Sequence, residues 1–264
     1  MRVLTPGVDL ERFFARFASA PSRVLFADFD GTLAPFQVRP ERARPYPGVV
    51  ESLDRIMAQG ATRLVMVSGR TAEELARLLP LRRRPEIWGA HGWQRLLPEG
   101  ELLEARPPAG ARAQLDEAER VARRLTELGA RVERKPASVA VHWRGLPVIS
   151  SARLRDALAT DWKPLAESAA LQALPFDGGL ELRARGIDKR HAVQTVLDEA
   201  RGAVSAFLGD DLTDEDAFAA MRTRGLSVLV RNDMRSTGAD LWLRPPVELV
   251  AFLKSWQRHC GVLQ

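Results

Sequence analysis

Apolar, β-branched runs that alternate with helical patterns constrain the possible folds of this chain most. Such runs and patterns follow one another at 24–27, 47–59, 64–67, 71–79 and 86–92, and again at 203–208, 214–221, 226–230, 240–243 and 247–258. Parallel strands need a crossover connection, usually a helix, so this order is typical of βαβ units. The sequence therefore predicts the α/β class, with a doubly wound parallel sheet.

The middle of the chain follows a different pattern. Two amphipathic helical patterns, 111–128 and 151–169, are each followed by an alternating stretch, 131–144 and 171–183, with turn residues near Pro136 and at 177–179. This αββαββ order predicts a small α+β cap, inserted at 107–185 into a core formed by 1–106 and 186–264. Proline and glycine near both junctions favour hinges there.

Composition excludes several classes of protein. The 264 residues are 45% hydrophobic, enough for a buried core, and no stretch approaches the roughly 20 apolar residues that span a bilayer. The net charge of +5 is spread along the chain and rarely interleaved with aromatic residues, which argues against nucleic-acid binding. We expect a soluble, monomeric, cytoplasmic protein. The lone Cys260 has too few possible co-ligands for a zinc site, so any metal must be held by oxygen.

Polar residues follow the predicted strands of the core where each strand ends. Asp28 and Asp30 follow the first strand, Ser68 the second, and Asp210 and Asp211 a later one. In open α/β sheets these ends meet at one edge, where ligands bind. Carboxylates that converge there would repel one another without a hard cation between them, so the pattern predicts a Mg²⁺ site.

The same residue types favour phosphoryl transfer. A carboxylate such as Asp28 can attack phosphorus, and a second carboxyl group two residues on, Asp30, can protonate the leaving oxygen and later activate water. Ser68 and Lys189 can stabilise the charge of the transferred group. Each element also has a plain structural interpretation: a turn, a helix start decorated with acids, or a solvated lysine. Their order at successive strand ends favours the chemical interpretation.

Several motifs resemble those of a known family. They are Asp28-Phe-Asp-Gly-Thr-Leu-Ala-Pro-Phe, Val67-Ser-Gly-Arg, Gly89-Ala-His-Gly, Val132-Glu-Arg-Lys-Pro-Ala-Ser-Val-Ala-Val-His-Trp-Arg, Leu180-Glu-Leu, Lys189 and Gly209-Asp-Asp-Leu-Thr-Asp-Glu-Asp-Ala-Phe. They are similar to motifs of haloacid-dehalogenase-superfamily phosphatases and, along nearly the whole chain, to those of trehalose-6-phosphate phosphatases. One departure is Arg190, where that family usually has glycine.

The resemblance implies roles for individual residues. Asp28 would be nucleophile and metal ligand, Asp30 the acid/base and a ligand through its backbone carbonyl, and Asp210 a direct metal ligand. The remaining implied roles are metal support for Asp211 and Asp214, phosphate binding for Ser68, Gly69 and Lys189, and substrate binding for Arg70, His91 and Gly92.

Alternation in the cap predicts a sheet with one apolar and one polar face. The polar face would carry Glu133, Lys135, His142, Arg144 and Glu181. This is either an ordinary solvated face or a surface for a polyhydroxyl ligand, whose hydroxyls carboxylates and cations can bind. The resemblance implies sugar contacts for four of these residues: Glu133, Lys135, Arg144 and Glu181.

Together these features predict a Mg²⁺-dependent phosphatase that hydrolyses trehalose 6-phosphate through an aspartyl-phosphate. Another sugar phosphate, such as sucrose phosphate or a glucosylglycerol-type phosphate, is the alternative with the same chemistry. A catalytically silent regulatory domain is a further alternative. Loss of any one of four residues would favour it, but all four are present: Asp28, Asp30, Lys189 and Asp210. A phosphoacceptor receiver domain would be shorter and would lack the cap.

Overall fold

The computed structural model describes residues 1–176 and 178–260. Within these residues the strands are β1 (Arg2–Val3), β2 (Arg23–Ala27), β3 (Thr62–Val67), β4 (Glu86–Gly89), β5 (Gln94–Leu96), β6 (Leu102–Glu104), β7 (Arg131–Lys135), β8 (Ser138–His142), β9 (Leu171–Phe176), β10 (Gly179–Ala184), β11 (Val204–Gly209), β12 (Leu226–Val230) and β13 (Leu241–Leu243). The α-helices in the same part of the chain are α1 (Leu10–Ala15), α2 (Val49–Ala58), α3 (Ala72–Leu78), α4 (Ala109–Arg123), α5 (Val148–Asp161), α6 (Lys163–Ala166), α7 (Lys189–Glu199), α8 (Glu215–Met221) and α9 (Val247–Cys260). None of the helices in the described ranges is long and apolar enough to cross a bilayer.

The chain divides into two compact units. One is formed by residues 1–103 together with the described residues from 188 onwards, and the other by residues 104–187. The sequence-based division placed the insertion at 107–185.

The first unit is built on a mixed sheet with the strand order β1-β13-β12-β11-β2-β3-β4-β5-β6. Every pairing from β13 to β4 is parallel, whereas β1 and β5 pair antiparallel with β13 and β4. The predicted doubly wound α/β core is confirmed. The strands β1, β5 and β6 were not predicted, because segments of two or three residues are too short for their periodicity to be recognised.

Helices cover both faces of this sheet, as the alternation within β2 shows. Leu25 and Ala27 pack in an apolar cluster with residues of α2, α3 and α9. Val24 and Phe26 point the other way and pack with residues of α7 and α8. All five residues of β2 are buried, and the four that follow Arg23 form the continuous apolar run expected in the middle of a parallel sheet.

The segment before β2 packs onto the last helix of the unit. Helix α1 begins after Asp9, whose side chain accepts a hydrogen bond from the backbone N–H of Arg12 at 3.1 Å. Phe17, just after α1, meets Trp256 of α9 edge to face with 4.8 Å between ring centroids. Burial of such rings gives this segment a direct part in stabilising the core.

The second unit contains α4, β7, β8, α5, α6, β9 and β10, which is the predicted αββαββ order. Its antiparallel sheet has the order β7-β8-β10-β9. Arg134 points to the helix side of this sheet, where it forms an ion pair of 3.1 Å with Asp116 of α4. Of the predicted turn at 177–179, Asp177 lies outside the described residues.

Candidate active site

Three neighbouring strands of the core end beside one another and deliver the residues of the candidate site. The order β11-β2-β3 places the residues that follow these strands, Asp210, Asp28 and Ser68, along one edge of the sheet. Backbone hydrogen bonds continue past two of the strand ends: the N–H of Asp28 donates to Leu208 at 2.9 Å and that of Ser68 to Trp88 at 2.9 Å. These bonds hold the backbone of Asp28 and Ser68 in position, and both residues are buried.

A tight turn follows Asp28. The N–H of Gly31 donates to the carbonyl of Ala34 at 2.7 Å, and Gly31 has a φ of 84°, which favours glycine. A Cβ at this position would also collide with the carboxylate of Asp210. Thr32 in the same turn donates to Asp210 Oδ1 at 3.2 Å. The turn therefore brings the first motif against the late acidic loop.

Three buried carboxylates meet at this edge. Oxygens of Asp28, Asp210 and Asp214 all lie within 4.8 Å of one another. Lys189, the first residue of α7, is 2% exposed and lies among them, with its Nζ 2.7 Å from Asp214 Oδ1 and 3.3 Å from Asp28 Oδ1. One ammonium group thus faces three carboxyl groups.

The charges in this cluster are unbalanced, as the direction of each pKa shift shows. Burial raises the pKa of Asp28, and Lys189 only partly opposes this. Burial and then the charges of Asp28 and Asp214 raise the pKa of Asp210 well above its ordinary value. Burial opposes the charge on Lys189, but Asp214 and Asp28 outweigh it, so the pKa of the lysine is raised. The cluster therefore favours the addition of positive charge.

Asp214 accepts three hydrogen bonds from other parts of the protein. Its Oδ1 accepts from Lys189, and its Oδ2 accepts from the backbone N–H groups of Asp210 at 2.9 Å and Asp211 at 3.0 Å. The side chain of Asp211 instead accepts from the N–H of Leu212 at 2.7 Å and caps the short 3-10 turn there. Asp214 thus shapes the loop that presents Asp210, and Asp211 helps to close that loop.

The remaining donors at this edge fit a small, hard divalent cation. Asp28 and Asp210 offer carboxylate oxygens that the protein leaves short of positive charge, and the cluster contains only oxygen ligands. Magnesium prefers such ligands and usually keeps several waters, so two carboxylates and a nearby backbone carbonyl are a sufficient protein share.

Asp30 lies two residues beyond Asp28, but the structure pairs its side chain with Arg70. Arg70 donates from Nε to Asp30 Oδ2 at 2.6 Å and from Nη2 to Asp30 Oδ1 at 2.8 Å. The guanidinium therefore binds both oxygens of this carboxylate at once. Sequence reasoning assigned Arg70 to the substrate and did not anticipate this pair.

The turn after Ser68 packs against the Gly-Ala-His-Gly segment. The N–H of His91 donates to the carbonyl of Ser68 at 2.9 Å, and a Cβ on Gly69 would lie 2.6 Å from His91 Nε2. A side chain at position 69 would therefore force His91 to move, so glycine is favoured there by close approach rather than by its φ. Gly92 has a φ of 107° and completes the bend. Ser68, Gly69, His91 and Gly92 are thus brought together in one part of the core.

Arg235, which sequence reasoning missed, binds the backbone of the acidic loop. Arg235 donates from Nε to the carbonyl of Asp210 at 3.1 Å and from Nη2 to that of Asp211 at 2.7 Å, and it is also paired with Glu215. It follows β12, a strand that ends beside β11 at the same edge of the sheet. Its position after that strand could have indicated a role at this edge. Arginine is so common in this chain, however, that the residue type alone did not single it out.

The polar face of the second unit is an ionic network. Register pairs Glu133 with Ala140 and Ala140 with Glu181, so the two glutamates share a face. Lys135 Nζ lies 3.7 Å from Glu133 and 3.6 Å from Glu181, and Ser138 Oγ donates to Glu181 at 2.6 Å. The two carboxylates are thus held on either side of one ammonium group.

His142 lies on the same face and orients Glu133. The imidazole Nε2 is 2.8 Å from Glu133 Oε2. Burial would raise the pKa of Glu133, but the hydrogen bond from His142 and the charge of Lys135 outweigh it and lower that pKa to about 2. Burial also lowers the pKa of His142 below its ordinary value. Arg144 lies beyond the end of β8, so alternation along that strand does not place it on this face.

The fold and the arrangement of this edge define the class of protein. A haloacid dehalogenase-like hydrolase from B. subtilis aligns with a TM-score of 0.63 at 14% identity, over 88% of this chain and 99% of that one. The C-terminal domain of C. albicans trehalose-6-phosphate phosphatase aligns over 100% of both chains with a TM-score of 0.81 at 18% identity. The chain therefore has the haloacid dehalogenase-like fold.

The family follows from sequence comparison. A family model described as trehalose-phosphatase matches residues 26–240, and the chain belongs to that family. The trehalose-phosphate phosphatase of Mycobacterium marinum is 31% identical over 248 residues, which cover 89% of this chain and 61% of that protein. A Mycobacterium tuberculosis protein named as an uncharacterized glycosyl hydrolase is 32% identical over 244 residues, covering 87% of this chain and 18% of the other. The chain thus spans about three fifths of the length of the trehalose-phosphate phosphatases it matches.

Proposed function

We propose that this chain is a phosphatase that hydrolyses trehalose 6-phosphate to trehalose and phosphate, with Asp28 as the nucleophile and Mg²⁺ as the cofactor. The observation that carries the proposal is the buried cluster in which Lys189 lies 3.3 Å from Asp28 while Asp210 adds a further carboxylate. Membership of the trehalose-phosphatase family supports both the reaction and the sugar.

In the proposed reaction an oxygen of Asp28 attacks phosphorus, and the bond from phosphorus to the sugar oxygen breaks. Asp30 gives its carboxyl proton to the departing sugar oxygen. A water molecule then attacks the phosphorus of the aspartyl-phosphate, and the Asp30 carboxylate takes the proton of that water. Asp28 is released unchanged together with phosphate, so proton and phosphoryl group are both accounted for.

The residues around Asp28 provide positive charge and hold the reacting groups in position. Lys189 partly neutralises Asp28 and Asp214. Together with Ser68 and Gly69 at the next strand end, it is proposed to stabilise the phosphoryl oxygens. Asp28, Asp210 and the backbone carbonyl of Asp30 would hold the metal, with Asp211 and Asp214 shaping the loop. When bound, Mg²⁺ supplies positive charge that balances the carboxylates and the phosphoryl group.

The polar face of the inserted unit is the proposed sugar-binding surface. Ionised Glu133 accepts hydrogen bonds from hydroxyl groups, and Lys135 donates to them. Arg144, which lies just beyond the end of β8, is proposed as a further donor. Glu181 is 4% exposed and held by Ser138, so its orientation is set before a ligand binds. His91 and Gly92 of the core are proposed as further substrate contacts.

The metal role of Asp210 predicts a strong and specific effect on Mg²⁺ binding. Asp210→Ala should weaken Mg²⁺ affinity by more than the roughly 10–100-fold that loss of an outer-sphere partner costs, because a direct ligand is removed. Titration calorimetry with Mg²⁺ and phosphate release with Mg²⁺ or EDTA would measure binding and activity separately.

Asp216→Ala is the matched control for this experiment. Asp216 belongs to the same acidic run, but it is half exposed and pairs with Arg190 at 3.5 Å. Its replacement should leave Mg²⁺ affinity within about threefold, as expected for a surface ion pair. Equal losses in the two variants would contradict a defined metal site and indicate only a diffuse acidic patch.

The sugar-binding role of the inserted unit predicts a dependence on the leaving group. Glu133→Ala and Glu181→Ala should each lower kcat/KM for trehalose 6-phosphate by about 10–100-fold, since a hydrogen bond to a charged group contributes about 1.5–3 kcal/mol. Hydrolysis of p-nitrophenyl phosphate, which has no sugar, should be largely unchanged. Phosphate release from both substrates, and from sucrose 6-phosphate, is the measurement.

The control for these variants is Glu167→Ala. Glu167 is also in the inserted unit, but it is largely exposed and lies 4.0 Å from Lys163. It should leave both activities unchanged. If p-nitrophenyl phosphate hydrolysis fell as far as trehalose 6-phosphate hydrolysis, the glutamates would be serving the fold, and if sucrose 6-phosphate were the better substrate, the sugar assignment would be wrong.

We also propose a cellular compartment and an oligomeric state for the enzyme. A small phosphorylated sugar as substrate and a single cysteine are consistent with a reducing compartment, and we place the protein in the cytoplasm. We propose a monomer that binds neither nucleic acid nor membrane. Size-exclusion chromatography with light scattering would measure the oligomeric state.

A further inference from the structure

Arg70 is held in one position by three separate groups. Besides the two bonds to Asp30, its Nη2 donates to the carbonyl of Pro40 at 3.0 Å and its Nη1 is paired with Glu74. The plane of the guanidinium also lies near the Phe29 ring, with 5.7 Å from Cζ to the centroid. The residue is 8% exposed. A side chain with this many partners is pre-organised and does not need a ligand to complete its hydrogen bonds.

The start of helix α3 has been adapted to hold this arginine. Thr71 and Glu74 have the spacing of a capping box, and Thr71 Oγ1 does accept from the N–H of Glu74 at 3.3 Å. The side chain of Glu74, however, pairs with Arg70 instead of turning back to the N–H of Thr71. One of the two hydrogen bonds of a capping box is therefore replaced by an ion pair that orients Arg70 toward Asp30.

The geometry of the Asp30 pair is that of a bidentate clamp. The two N–H donors of one guanidinium meet the two oxygens of one carboxylate at 2.6 and 2.8 Å. Such a fork restricts rotation of the carboxylate as well as its distance, which a single point charge cannot do. Asp30 itself is only partly buried, so the clamp restricts its rotamers more than burial alone would.

We infer that Arg70 is a positioning residue for Asp30, not a contact to the substrate. This inference rests on the proposed function, in which Asp30 gives a proton to the sugar oxygen and then remains a carboxylate until it takes one from water. Arg70 holds that carboxylate in a fixed orientation between the two transfers. Glu74 and the carbonyl of Pro40 keep the guanidinium in place.

A double-mutant cycle tests the inference, because a residue that acts through Asp30 has little left to do once Asp30 is gone. The variants are Arg70→Gln, Asp30→Asn and the two combined, measured as kcat and KM for trehalose 6-phosphate. Asp30→Asn should lower kcat by about 10²–10⁴-fold. Arg70→Gln alone should lower kcat by about 10–100-fold with KM changed less than threefold, and in the Asp30→Asn background it should lower kcat by less than threefold.

Arg95→Gln is the matched control. Arg95 is partly buried and also paired with two carboxylates, Glu86 and Glu199, at 2.8 Å, but it lies away from the strand ends that form the site. It should change stability without changing kcat. If Arg70→Gln does not fold, as judged by circular dichroism, the same cycle is run with Arg70→Lys, which keeps the charge but cannot form the fork.

Each outcome decides between the two roles of Arg70. Independent, multiplicative losses, or a KM that rises more than tenfold in both backgrounds, would overturn the positioning role and restore the substrate contact. Non-multiplicative losses confined to kcat would support it. A wild-type protein that releases no phosphate would instead overturn the proposed function, and a full-strength Asp30→Asn variant would overturn the role of Asp30; both results are distinct from an additive cycle.

Discussion

Asp28→Asn should lower phosphate release from trehalose 6-phosphate by about 10⁵–10⁶-fold, the scale on which removal of a covalent nucleophile acts. The amide keeps the shape of the carboxylate but has no anionic oxygen to attack phosphorus. The fold should survive and be at least as stable as before. Burial raises the pKa of Asp28 despite the opposing charge of Lys189, and the charges of Asp214 and Asp30 raise it further, so replacing this carboxylate relieves repulsion in the cluster.

Phosphate release measures the activity of Asp28→Asn, and thermal unfolding measures its stability. Acid quenching of wild type during turnover, followed by mass spectrometry, should also trap phosphate on the peptide that contains Asp28, and the variant should show none. Asp233→Asn, the same change at an exposed position after β12, serves as the control and should be fully active. Turnover by Asp28→Asn within tenfold of wild type would exclude the covalent route.

Lys189→Met should have a large effect on both stability and activity. The lysine is buried with Asp28 and Asp214 at 3.3 and 2.7 Å, so its removal leaves buried carboxylates without their cation. Breaking a buried ion pair on one side typically destabilises a protein by about 3–5 kcal/mol. Loss of its charge from the phosphoryl site should lower kcat by about 10²–10³-fold.

The Lys189→Met variant also gives a distinctive response to metal. Because a divalent cation can replace part of the missing charge, added Mg²⁺ should raise the Tm of Lys189→Met by more than it raises that of wild type. Lys163→Met is the matched control: this lysine lies on the surface, and its single ion pair should contribute no more than about 1 kcal/mol. A Lys189→Met variant as stable as Lys163→Met would show that the cluster is not charged.

Much of the fold could be predicted because its signals are local. The strand β12 was expected at 226–230 and is Leu226–Val230, since a short β-branched run between turns has few alternatives. Helix α3 was expected from Thr71, which does act as its N-cap. The insertion was expected as αββαββ, although the second helical pattern is divided into α5 and α6, with Pro164 in the first turn of α6.

Parts of the candidate site were outside the reach of sequence reasoning. Arg70 was assigned to the substrate, because nothing in Ser-Gly-Arg shows that its guanidinium meets Asp30, forty positions earlier. Arg235 was missed for a similar reason, since a chain rich in arginine gives no signal to single it out. Asp214 was expected only to support the metal, and the hydrogen bonds that it accepts from Lys189 and from two backbone N–H groups were not predicted.

The sequence by itself determined which residue types stand at the ends of which strands, because hydrophobic periodicity and turn chemistry depend on neighbours along the chain. That was enough for the α/β class, the inserted unit and the convergence of Asp28, Ser68 and Asp210. The tertiary structure decided which cation meets which carboxylate: Lys189 with Asp28 and Asp214, Arg70 with Asp30. These pairings depend on distances of a few ångströms between groups far apart in sequence, and Coulomb and hydrogen-bond energies change steeply over such distances.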